Sequence, residues 1–275
     1  MEQVISKAKR KYSSLEDFLI SSRLSVDGNV DYGSGASFPV RGREIEASIL
    51  FADISRFSAR TLALSPTETL IFVNDFFTWM TGPLMCRLGV VDKYIGDEVM
   101  VVFSNEFGSV DAFADALLAA RWMIENDGRA FAPHIGIASG RVTVGYVGTS
   151  LNHDCSVFGA PASLAARCAA DKTFGTGSTR IVFPARDWKY SSLREVFPPV
   201  ASESHGDDDE DEDTGWRLHD PSMADLRNIG QVELRCIEWV LCRVTTGNAS
   251  PEESAKRWLQ QLRAKGAYSP ARCRN

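Results

Sequence analysis

The chain of 275 residues has no CxxC pair and no zinc-type spacing; Cys86, Cys155, Cys168, Cys236, Cys242 and Cys273 are scattered singly. That excludes a zinc ribbon or a thioredoxin-like redox motif. Three of the six lie inside apolar segments, where reduced core thiols of a cytoplasmic protein belong. No apolar run approaches the ~20 residues needed to cross a bilayer. The first residues, MEQVISKAKRKYSSLEDFLI, are basic but carry no long apolar h-region, so no signal peptide is expected. There is no basic excess either. A net charge of −6 and a pI of about 5.3 argue against a broad nucleic-acid face, while leaving room for a local basic site that takes an anionic ligand. What is present, 44% hydrophobic and 24% charged residues, suits one soluble domain with attached tails.

Residues 1–40 read as a helix around Val4–Leu24 followed by a Gly/Ser-rich linker, DGNVDYGSGASFPV. From EIEASILFADISRF onward, Ile45, Ala47, Ile49 and Phe51 alternate with polar residues as in a strand entering a core, and Asp53 falls at its end. The next segment opens with Ser65 as N-cap, Pro66 at the first helical position and Glu68 three residues after the cap; Gly89 is placed to stop that helix. GVVDKYIGDEVMVVF gives a hairpin, SVDAFADALLAARWMIEND a second amphipathic helix, and PHIGIASGRVTVGYVG a glycine-punctuated strand pair. APASLAARCAADK is a short helix, TRIVFP a strand, and LRNIGQVELRCIEWVLCRV two strands about a turn. Residues 202–214, SESHGDDDEDEDT, are too acidic to fold alone and read as a solvated insertion. The tail from Ser250 reads as a capped basic helix peripheral to the core. The order β-α-β-β-α-β-β-α-β-β-β over residues 41–245 predicts an α+β, ferredoxin-like palm: a mainly antiparallel sheet with helices on one face. Tails 1–40 and 246–275 flank it.

Two acids occupy comparable places, Asp53 at the end of a central strand and Asp97 at the tip of the next hairpin. Each alone has a bland reading, as a cap or a turn former. As neighbours in a palm sheet they bring two carboxylates to one point, where they repel unless a cation bridges them. Hard oxygen ligands suit Mg²⁺ or Mn²⁺, and two such ions can activate a hydroxyl and stabilise a phosphorus centre. DISRFS after Asp53 adds backbone N–H groups, at a turn leading into a helix, for a triphosphate.

ILFADISRFS and DKYIGDEVMVVF resemble the two metal-binding segments of class III nucleotidyl cyclases. GIASGRVTVGYVG and DCSVFGAPASLAARC resemble, in order, the family's glycine-rich strand pair and its transition-state helix, and LRNIGQVELRCIEWV its closing hairpin. The resemblance implies that Asp53, Asp97 and the Ile54 carbonyl hold two Mn²⁺ or Mg²⁺ ions per site. It implies that the backbone of Ile54, Ser55, Arg56 and Phe57 holds phosphates, and that Lys93 and Ser156 read the base. Arg167 matches the arginine that steadies the α-phosphate in the transition state, which suits its planar two-pronged fork. A head-to-tail homodimer follows, with the metal pair of each site coming from one chain and the base-reading and arginine residues from the other.

Three positions depart from the family. Ser163 stands where most members have a ribose-holding asparagine, Ser156 replaces an Asp or Thr, and Arg56 replaces a common glycine. One explanation is a catalytically dead nucleotide-binding relative; another is an active enzyme whose base is a pyrimidine, with Lys93 donating to a uracil carbonyl. The retained acids, lysine and arginine favour the second. The stand-alone architecture resembles the pyrimidine cyclases of bacterial Pycsar antiphage systems. That resemblance implies conversion of UTP to cUMP and pyrophosphate, as a messenger for a separate effector protein; an adenylate cyclase making cAMP is the alternative.

Overall fold

A computed structural model describes residues 11–31, 37–62, 64–126, 131–149, 152–175, 179–188, 197, 215–240 and 250–264. The acidic run at 202–214, Cys242 and Cys273, and the first part of the expected N-terminal helix lie outside the described residues.

The elements run α1 (Leu15–Ser21), β1 (Val26–Asp31), β2 (Ser37–Asp53), α2 (Phe57–Thr61), α3 (Pro66–Cys86), β3 (Val90–Ile95), β4 (Glu98–Phe103) and α4 (Ala112–Glu125). They continue as β5 (His134–Gly148), β6 (His153–Phe158), α5 (Ala160–Ala169), β7 (Thr179–Pro184), β8 (Gly215–Leu218), β9 (Ser222–Leu226), β10 (Gly230–Val240) and α6 (Pro251–Ala264). One sheet carries the order β3-β4-β2-β5-β7-β10-β8, with β1 added to β2, β6 to β5 and β9 to β10. Among the described residues, only the pairing of β5 with β7 is parallel. The α+β palm with a mainly antiparallel sheet is therefore the observed fold.

Both faces of the sheet are covered, which corrects the expectation of helices on one face. Along β2, Leu50 and Ala52 join the core beneath α3 and α4, while Ile45, Ala47, Ile49 and Phe51 join a second core with α1 and α5. β4 divides the same way, Val99, Val101 and Phe103 against Met100 and Val102. Strict alternation in a strand buried on both sides gives each face its own core. Each fully buried Leu, Ile or Phe contributes roughly 1.5–3 kcal/mol. Cys155, Cys168 and Cys236 are free and buried, as core thiols should be.

Local signals explain the helix starts. Ser65 and Glu68 form the expected reciprocal cap of α3, each backbone N–H bonded to the other's side chain at 2.9 and 3.3 Å. Asp111 caps α4 by accepting from the amides of Phe113 and Ala114.

Three further expectations are corrected, and one strand is added. The Gly/Ser-rich stretch read as a linker supplies β1 and the start of β2, paired antiparallel from Val26↔Gly42 to Asp31↔Ser37. The glycine-punctuated strand pair is a single strand, β5. Its outer partner changes from β7 to β6 on either side of Gly140, whose φ of +148° side-chain-bearing residues rarely adopt. β8 carried no sequence signal beyond the apolar Trp216 and Leu218. Finally, α6 is not peripheral: Ala255, Trp258 and Leu259 are buried. The Trp258 indole donates to Asp75 at 2.8 Å and meets Phe72 edge to face. Among the described residues, no helix is long and apolar enough to cross a membrane.

Candidate active site

β2 and β4 run antiparallel with Ala52 opposite Val99, so the last residue of β2, Asp53, comes level with Glu98 at the mouth of the β3–β4 hairpin. That hairpin closes with Ile95 opposite Glu98, leaving Gly96 and Asp97 as its two-residue loop. Gly96 takes φ +65° and Asp97 stays out of the left-handed region, as a loop opening on glycine requires. The Asp97 carboxylate accepts the backbone N–H of Ile54, which ties the hairpin tip to the turn after Asp53. The two acids named from the sequence therefore do converge.

Their electrostatics are those of carboxylates buried close together. Burial first, and then the charges of Asp97 and Glu98, push Asp53 up to about 7; Arg180 pulls the other way. Burial also raises Asp97, against the two backbone amides that favour its charge. Burial and Asp97 raise Glu98, which Arg167 lowers. Asp53 Oδ1 is buried with no hydrogen-bond partner. Clustered hard oxygens, one of them unsatisfied, fit a divalent cation of the Mg²⁺ or Mn²⁺ kind.

The turn after Asp53 explains one departure. Arg56 sits at φ 55°, ψ 36°, the left-handed conformation that glycine adopts freely. The glycine usual in the family meets that backbone need, and the arginine adopts it at a strain of order 1–3 kcal/mol. Phe57 N–H is bonded to the Ile54 carbonyl at 3.2 Å and the Ile54 amide to Asp97, so of the four phosphate-binding amides expected, Ser55 and Arg56 have no such engagement. Ser55 is itself buried, and the Arg60 guanidinium donates to its carbonyl at 2.7 Å.

Lys93 and Ser156, distant in sequence, meet. Lys93 Nζ donates to Ser156 Oγ at 2.5 Å, and Ser156 Oγ donates to Asp92 Oδ2 at 2.9 Å, with Lys93 3.7 Å from the same carboxylate. The sequence reading missed Asp92. Arg167 and Ser163 lie one turn apart on the outward side of α5, which rests on β5 at Gly136. A Cβ at Gly136 would stand 2.1 Å from the Ala165 carbonyl oxygen, so glycine is what lets α5 seat and aim Arg167. Arg180 was also missed: it is buried in β7, and its guanidinium donates to the carbonyls of Asp171 and Gly175.

Fold and site thus define an α+β palm domain with paired acids at a strand end and, farther back along the same hairpin, a lysine hydrogen-bonded to a serine of β6. Residues 41–175 match the family model described as the adenylate and guanylate cyclase catalytic domain. The chain is 27% identical over 179 residues to an adenylate cyclase of Anabaena cylindrica, covering 59% of this chain and 34% of that one. It spans about a third or less of the curated relatives it matches. Among solved structures, the adenylyl cyclase CyaB of P. aeruginosa matches at TM-score 0.53 and 18% identity, over 75% of this chain and 99% of that one. The guanylate cyclase domain of RhGC from Catenaria anguillulae, in complex with GTP, matches at TM-score 0.55 and 17% identity, over 72% and 100%. At such identities these two likenesses bear on the fold alone.

Proposed function

We propose that the chain is a nucleotidyl cyclase that converts UTP to 3′,5′-cyclic UMP and pyrophosphate. In the reaction the O3′–Pα bond forms, the bond from Pα to the β-bridging oxygen breaks, and the 3′-hydroxyl proton passes to solvent. The observation that carries the reading is the convergence of Asp97 on Asp53 through the Ile54 amide. Divalent cations held by Asp53, Asp97 and the Ile54 carbonyl would supply Lewis-acid activation of the hydroxyl and charge stabilisation at phosphorus. The amides of Ser55 and Arg56, with the Arg56 charge beside them, hold the β- and γ-phosphates. Arg167 meets two α-phosphate oxygens with its fork as charge builds there. Ser163, one turn earlier on α5, reaches the ribose through its hydroxyl or a bridging water.

Uracil fits the Lys93–Ser156 pair by giving a carbonyl oxygen to the ammonium and its N3–H to the serine. Adenine is the second reading, favoured by the adenylate cyclase name of the Anabaena relative; its N1 and amino group satisfy the same pair. The site takes its metal acids from one protomer and Lys93, Ser156 and Arg167 from a head-to-tail partner. Lys93 lies four residues back along β3 from Asp97, on the order of 13 Å at ~3.3 Å per residue. By resemblance to the Pycsar systems, cUMP signals to a separate effector in antiphage defence. Incubating the protein with Mn²⁺ and each of ATP, GTP, CTP and UTP, and identifying products by mass, tests the reading. cUMP from UTP alone supports it, cAMP alone replaces uracil by adenine, and no cyclic product from any of the four ends it in favour of a binding-only protein.

A further inference from the structure

The Lys93–Ser156 pair has a third member whose place in the strand is unusual. Along β3, Val91 pairs with Val101 but Lys93 already pairs with Met100, so Asp92 is the extra residue of a β-bulge. In a regular strand Asp92 and Lys93 would point to opposite faces; the bulge turns both toward Ser156 on β6. The Asp92 side chain is 0% exposed, and its Oδ1 is buried with no hydrogen-bond partner. A carboxylate placed for solubility would face water, whereas one buried with an oxygen unmatched costs stability.

We propose that Asp92 is a positioning residue of the base pocket. By taking the Ser156 hydroxyl proton, it leaves that serine able only to accept from the base while Lys93 donates. The reasoning is an inventory of hydrogens. A serine hydroxyl has one proton and two lone pairs. The proton goes to Asp92 and one lone pair receives Lys93, so a single lone pair faces the ligand. Lys93 keeps further N–H donors for the base. The pocket therefore admits a base edge with an acceptor beside an N–H, such as uracil O4 with N3–H or cytosine N3 with its amino N–H, and rejects an edge of two adjacent acceptors, such as cytosine O2 with N3. A free serine would rotate its proton to suit either. The inference rests on the reading that Lys93 and Ser156 face the base.

The test measures affinities of the four 3′-deoxynucleoside triphosphates, which cannot cyclise, for the wild type and for Asp92→Ala, with thermal melting as a fold check. The expected result is that cytosine and guanine, which offer adjacent acceptors (O2 with N3, O6 with N7), gain about tenfold over uracil and adenine, which do not, while the Arg167- and phosphate-dependent part of binding is unchanged. Asp92→Asn serves where the alanine variant does not fold. Lys93 claims the amide oxygen, the amide N–H faces Ser156, and the hydroxyl proton is released toward the base, so CTP gains over UTP. A uniform loss of affinity across all four bases in either variant overturns the proposal and leaves the cyclase reading standing. Binding with base selectivity but without turnover of ordinary triphosphates sinks the cyclase reading and still tests Asp92. Failure of the wild type to bind any of the four overturns both.

Discussion

The two ends of the β3–β4 hairpin solve opposite problems. At the tip, Asp97 and Asp53 crowd together with an unmatched oxygen and raised pKa values. Four residues back, Lys93, Ser156 and Asp92 neutralise and bond one another. The tip is costly as it stands and gains from a cation; the pocket is already organised and gains from a ligand that completes its pattern. Preorganised polar groups of the second kind favour selection, and unsatisfied charge of the first kind favours capture of an ion.

Breaking the tip should cost most. Asp97→Ala is expected to lower cyclic-nucleotide formation by about 10³-fold, the several kcal/mol that metal-assisted charge stabilisation supplies, with circular dichroism and melting near those of the wild type. Unchanged turnover would mean that the tip acid is only a turn former. Mixing Asp97→Ala with Arg167→Ala protein should restore activity that neither has alone, because a mixed head-to-tail dimer rebuilds one intact site; mixtures as dead as their parts would show that the site is not shared. Arg167→Lys keeps the charge and loses the fork, and kcat should fall about 10²-fold with little change in KM. A smaller effect separates tip from pocket without turnover. Asp53 favours its protonated form in the fold, so its contribution to stability is present below about pH 4 and is lost as pH rises toward 7. Metal-free wild type should therefore melt lower at pH 8 than Asp53→Asn, on the order of 1 kcal/mol or 2–4 °C, and Mn²⁺ should raise the melting temperature of the wild type only. Equal Mn²⁺ shifts in both proteins would count against Asp53 as a ligand.

What could be read in the sequence were features whose physics is local or whose partners sit at strand ends. The cap at Ser65, the loop at Gly96 and Asp97, and the two acids all belong to that kind. What could not be read depends on non-local pairing. β1 is rich in Asp, Gly and Asn, which suit turns, and is a strand because β2 pairs with it. Asp92 obeys no alternation, since a bulge shows only against its partner strand. The tail helix reads as peripheral because Phe72 and Asp75, the partners that bury Trp258, lie far back in the chain. The role of Gly136 as the seat of α5 is likewise invisible until the helix backbone is seen lying on it.

The sheet does not stop at residue 175, where the match to the family model ends. Ile181 of β7, Ile237 of β10 and Trp258 of α6 lie in the same core as Leu50 and Val101, all three beyond residue 175. A fragment trimmed to the matched segment would be cut through its own interior, with the parallel edge of β5 open and Arg180, whose charge favours ionised Asp53, removed along with β7. Any excision meant to study the chemistry in isolation has to carry the later strands with it.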